Sequence, residues 1–148
     1  MNSYEYLQEE AREDGVNVID YPFDNNRIRG LYCDGTVAIR QDMTTVEKSC
    51  VLAEELGHHR MTVGNILDQN DVANRKQWAY DRRIGLSGII LGYRNHCHNL
   101  HELSECLEVS EEFLNEALEC YREKYGCYTE LDGYVIMFEP HLAVMEKI

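Results

Sequence analysis

Four residues in one stretch carry the chemistry most legible in this chain: Glu54, Glu55, His58 and His59, within Val51-Leu52-Ala53-Glu54-Glu55-Leu56-Gly57-His58-His59. Carboxylate and imidazole both ligate divalent metals. Glu54 and His58 stand four apart, so a helix projects them from one face, as two ligands of one ion require. Glu55 adjoins them, in the place of the proton acceptor that a helix bearing His-Glu-x-x-His uses against metal-bound water, whose pKa the ion lowers to about 7. Here a carboxylate takes the first histidine's place, which zinc accepts. Glu55 and His59 are also four apart and define a shifted alternative. The same residues equally suit the wet face of an amphipathic helix. Against that reading stands Gly57, which costs a helix about 1 kcal/mol relative to Ala and so argues for close packing or a functional constraint.

The elements that must position these residues follow from periodicity and punctuation. Tyr4, Leu7 and Ala11 at helical spacing predict a first helix over 3–14, ending at Gly15. The period shifts toward two over 16–21 and stops at Pro22. Residues 28–39 then form strand-like halves about Asp34-Gly35, a hairpin dipeptide that tolerates positive φ. Thr44 and Glu47 have capping-box spacing ahead of an apolar run, which predicts a helix over 45–61 carrying the four polar residues. Trp78, Ala79 and Ile84 mark another over 72–84, and Ile89, Ile90, Leu91 and Tyr93 a third, with Ser87 as its cap. Leu100, Leu103, Leu107 and Val109 lead to Ser110, the cap of a helix that carries Phe113, Leu114, Ala117, Leu118 and Tyr121 and ends at Gly126. Residues 127–138 read as two strands about Asp132-Gly133, and the tail after Pro140 carries no assignment.

Composition narrows the function classes. The chain has 148 residues, 14 Lys+Arg against 27 Asp+Glu, and a formal charge of −13, which suits one domain and opposes binding to a phosphate backbone or an anionic membrane. Its basic runs, Arg75-Lys76 and Arg82-Arg83, are two residues each. The acidic start MNSYEYLQEEARED lacks a signal peptide's basic and apolar regions, which predicts a cytoplasmic protein. Six cysteines at 33, 50, 97, 106, 120 and 127 contain no CxxC pair, so reduced, buried and inert thiols are expected.

With motif and elements together, the chain resembles the ImmA/IrrE family of zinc metallo-endopeptidases, carried by phages, mobile elements and some bacterial chromosomes. The resemblance rests on Leu52-Ala53-Glu54-Glu55-Leu56-Gly57-His58-His59, Gly64-Asn65-Ile66, Asn74-Arg75-Lys76-Gln77 and Trp78-Ala79-Tyr80, and it continues from Leu103 to Gly126. It implies an α+β, zincin-like fold, mainly helical with a small antiparallel sheet, with 1–148 as a single metallopeptidase-like domain. It further implies Glu54 and His58 as ligands of Zn2+, Glu55 as the catalytic carboxylate, and a cytoplasmic helix-turn-helix repressor of a mobile element as substrate. The family's third ligand is a Glu in a pattern like E-x-x-A-x-x-W-A. Counting back from Trp78, that Glu falls on Val72, which cannot bind a metal, and Arg75 stands where the pattern has alanine. The resemblance thus implies a short deletion between Gln77 and Trp78, with Asp71, Asp81 and His59 as candidate replacements for the lost ligand. Zinc binding is then expected to be weak or absent. Two functions follow: a zinc-dependent endopeptidase impaired by that loss, or a non-catalytic protein-interaction module derived from it.

Two other constellations lead elsewhere. His96-Cys97-His98-x-x-His101 gathers metal-capable side chains, yet successive helical residues diverge, and a solvated helix end is expected. Residues 100–122 have helix-turn-helix spacing. Glu111, Glu112, Glu116 and Glu119 on the second helix would repel DNA, so a packing unit is expected.

Overall fold

The computed structural model describes residues 1–63 and 71–148, with the side chains of 62, 63 and 71–73 outside the description. The fold is α+β, built as two compact units, Met1–Ala79 and Tyr80–Ile148. Among the described residues no helix is long and apolar enough to cross a membrane.

The first unit opens with α1 (Ser3–Glu13), whose first turn is closed by a reciprocal cap: Asn2 Oδ1 accepts from Glu5 N–H at 2.8 Å and the Glu5 carboxylate accepts from Asn2 N–H. Three strands follow, β1 (Asn17–Tyr21), β2 (Gly30–Cys33) and β3 (Thr36–Arg40), in the spatial order β1-β3-β2. The hairpin joining β2 and β3 turns at Asp34 and Gly35, with φ of 46° and 80°. The antiparallel pairing expected over 28–39 is present in β2 and β3, while β1 joins the same sheet parallel to β3. The reason is topological: β2 and β3 run antiparallel through their hairpin, and the 22–29 connection delivers β2 to the far side of β3. Arg40 fixes that connection. Its side chain, 8% exposed, donates to the carbonyls of Phe23, Asn25 and Ile28, the last at 2.8 Å.

Helix α2 (Thr45–Val63) lies against β2 and β3, and α1 lies against α2 and β1. Thr44 Oγ1 accepts from Glu47 N–H at 3.1 Å and donates to the Glu47 carboxylate at 2.9 Å, so the expected start holds, with the carboxylate on the hydroxyl. Leu7, Ala11, Val37, Ile39, Leu52, Ala53 and Leu56 form the core, each 2% exposed or less. Helix α3 (Asp71–Arg83) runs unbroken through Gln77-Trp78.

In the second unit, α4 (Gly85–Arg94) begins at Gly85, which places the expected cap, Ser87, inside the helix. Gly85 takes φ of 65° and its N–H donates to Tyr121 Oη at 3.1 Å, so a tertiary partner satisfies the orphan amide that a serine cap serves. Asn99 caps α5 (Leu100–Leu107) and Ser110 caps α6 (Glu111–Tyr125), the latter accepting from Phe113 N–H at 3.1 Å. Strands β4 (Tyr128–Leu131) and β5 (Tyr134–Met137) turn at Asp132-Gly133, and the unassigned tail supplies β6 (Ala143–Glu146) on β5. On α6, Phe113, Leu114, Ala117 and Tyr121 are buried while Glu111, Glu112, Glu116 and Glu119 are exposed. All six cysteines are free thiols. Only Cys50 is buried, which corrects the expectation that most lie inside the fold.

Candidate metal centre

The site is assembled where β2 and α3 both meet α2 in the first unit. Gly30 lets the strand approach: a Cβ there would stand 2.6 Å from Val51 Cγ1 and 3.4 Å from Glu55 Cγ. Two residues on, with the same side facing the helix, Tyr32 sets its ring 4.9 Å from that of His58 and 5.4 Å from that of His59. Its hydroxyl shares a 2.7 Å hydrogen bond with His59 Nδ1.

From the other side α3 closes on Gly57, where a Cβ would lie 2.6 Å from the Arg75 carbonyl oxygen. This is the close packing that Gly57 foretold. The crossing brings Arg75 Nη1 to 3.3 Å from His58 Nδ1, and Glu55 Oε2 lies 3.7 Å from the same nitrogen. Arginine only donates and a carboxylate only accepts, so the two partners of Nδ1 call for opposite tautomers of His58. The Glu55 side chain is 13% exposed. Its burial pushes the carboxyl's pKa up, while the charge of Arg75 and the neighbouring His58 pull against that rise.

Glu55 and His58 therefore meet, in company with Tyr32 and Arg75. Glu54 is half-buried one position along α2. Among the described residues, no three His, Cys, Asp or Glu side chains draw together as a group able to hold a metal ion. Catalytic zinc takes three protein ligands, so the described donors do not fit it. Of the candidate replacements, His59 is engaged by Tyr32, and the side chain of Asp71 lies outside the described residues. Asp81 lies in the second unit, where its carboxylate hydrogen-bonds Tyr121 and acts on Cys120. The His96–His101 cluster is also dispersed: His101, 66% exposed, sits between Glu105 and Glu111 at 2.7 Å from each, while Cys97 Sγ faces the Glu102 carbonyl.

Sequence reasoning did not identify Tyr32 as part of this site, and it noted Arg75 in a basic pair, in a stretch that carries the resemblance and as a departure from its alanine, but not as a site residue. A glycine two residues before an aromatic on a strand, and a glycine in the facing helix, were the available signals. Neither says which residue fills the space. Compared with protein-family models, with curated proteins and with solved structures, the chain has no match to any of the three.

Proposed function

We propose that the chain is a protein-interaction module derived from an ImmA/IrrE-like, zincin-like metallopeptidase, and that it binds a cytoplasmic helix-turn-helix repressor of a mobile element without cleaving it efficiently. The observation that carries this reading is the unpaired edge of β2 beside Glu55, His58 and Tyr32. β2 pairs only with β3 among the described residues. Arg40 N–H donates to the Arg29 carbonyl at 2.8 Å, and antiparallel pairing alternates, so the backbone groups of Gly30 and Tyr32 face the outer edge. An extended peptide adds to such an edge through main-chain hydrogen bonds. Leu31, 50% exposed, and the neighbouring site side chains offer it selectivity. The acidic, exposed face of α6 supports a protein rather than a nucleic acid as partner.

A second reading, the zinc-dependent endopeptidase itself, keeps Glu54 and His58 as ligands and Glu55 as the catalytic carboxylate. It is favoured by the shielded Glu55 carboxyl, whose raised pKa is the kind of tuning general bases show. One experiment separates the two. The repressor is incubated with the native chain and with Glu55→Gln, reading complex formation, repressor mass and zinc content after mild dialysis. The module reading expects a complex with intact repressor from both proteins. Cleavage by a stoichiometrically zinc-loaded native chain, lost in Glu55→Gln, establishes the peptidase instead, and absence of any complex overturns the module.

A further inference from the structure

We propose that Arg75 is the resident cation of the Glu55–His58 site, its guanidinium doing the electrostatic work that a metal ion does in a metallopeptidase helix and keeping such an ion out. Three observations converge on this assignment. Arg75 Nη1 lies 3.3 Å from His58 Nδ1, nearer than Glu55, and because a guanidinium only donates, its hydrogen bond places the lone pair on Nδ1 and the imidazole proton on Nε2. Glu55 Oε2 lies 3.7 Å from His58 Nδ1, and the Arg75 charge also acts on the Glu55 carboxylate. The arm is also held in place. Gly57 admits the Arg75 backbone so closely that a Cβ would stand 2.6 Å from its carbonyl oxygen and 3.3 Å from its Cγ. Arg75 Nε is buried without a hydrogen-bond partner among the described residues, a loss that a solvated arginine avoids and that its head group's contacts offset.

A divalent ion arriving at Glu54 and His58 then meets a like charge that cannot be neutralised, since arginine stays protonated throughout the working range. At His58 it finds one nitrogen engaged and the other protonated, and metal binding needs a bare one. The assignment goes beyond the repressor-binding reading and holds whatever peptide β2 takes.

The test combines the histidine's tautomer with zinc affinity. Nitrogen-15 NMR of the native chain, with the His58 signals identified by their absence in His58→Gln, should show a bare Nδ1 and a protonated Nε2. Zinc titration should be weak for the native chain and for Arg75→Lys, which keeps the charge. It should be tighter for Arg75→Met by about 10- to 100-fold, the range over which groups beyond the ligands tune metal affinity. That gain should vanish in Arg75→Met/His58→Gln, which separates the site from zinc held by the free cysteines. A proton on Nδ1 directed at Glu55, an unchanged zinc affinity in Arg75→Met, or equal tightening in Arg75→Lys each overturns the assignment. If Arg75→Met does not fold, the native tautomer decides by itself, because reading it requires no substitution at Arg75.

Discussion

Gly57 shows how one missing side chain sets the site. In an exposed helix, Gly→Ala stabilises by roughly 1 kcal/mol. At position 57 the added methyl meets backbone, the Arg75 carbonyl oxygen at 2.6 Å, and backbone does not swing aside as a flexible side chain does. We predict that Gly57→Ala reverses the sign expected from helix propensity and destabilises the chain by about 1–3 kcal/mol, the usual cost of overpacking. Urea unfolding of the two proteins measures this. A more stable Gly57→Ala would mean that α3 does not press on α2 there. The spacing of Glu54, Glu55 and His58 was legible in the sequence because helical periodicity is local. Arg75 against His58 was not, because no local rule pairs side chains on two helices whose crossing is set by packing.

At the scale of elements, Arg40 takes the part of a clasp. Its guanidinium serves three carbonyls of the loop between β1 and β2, and without it those acceptors lose a charged donor. Hydrogen bonds to charged groups contribute about 1.5–3 kcal/mol each at most and do not add fully, so Arg40→Met is expected to cost roughly 2–4 kcal/mol. Amide exchange should accelerate first over 22–29. Uniform acceleration across the first unit would instead make Arg40 a general core residue.

The starts of α5 and α6 are joined similarly by His101, whose imidazole lies between Glu111 and Glu105. The hydrogen bond to Glu111, then the charge of Glu105, raise its pKa above the ordinary histidine value. A raised folded-state pKa gives a contribution fully present below the unfolded value, about 6.5, and lost as pH rises through the folded value. NMR titration should therefore place the native His101 midpoint above that of Glu111→Gln. Coincident midpoints would show that the two helix starts are not linked through this histidine.

Charge sets the behaviour of the molecule as a whole. With 27 acidic against 14 basic residues, self-repulsion opposes the folded state, and salt screens it over a Debye length of about 8–10 Å near physiological ionic strength. Raising sodium chloride from low to moderate concentration is expected to add about 1 kcal/mol, or roughly 2–4 °C in the unfolding midpoint. A midpoint that falls with salt would mean that attractive pairs such as Arg60–Asp14 and Lys48–Asp20 outweigh the net repulsion.

What the sequence determined by itself is local. Thr44 and Ser110 set helix starts, Asp34-Gly35 and Asp132-Gly133 set hairpin turns, and the four-residue interval put Glu54 and His58 on one face of α2. Each depends on atoms a few residues apart, where backbone geometry leaves few choices. The tertiary structure decided the rest. It set the parallel pairing of β1 with β3, gave the Gly85 amide Tyr121 in place of a Ser87 cap, and recruited the tail as β6. It also set Tyr32 against His59 and Arg75 against His58. These join groups distant along the chain, and their partners are selected by which surfaces pack together, a collective property that no short window of sequence contains.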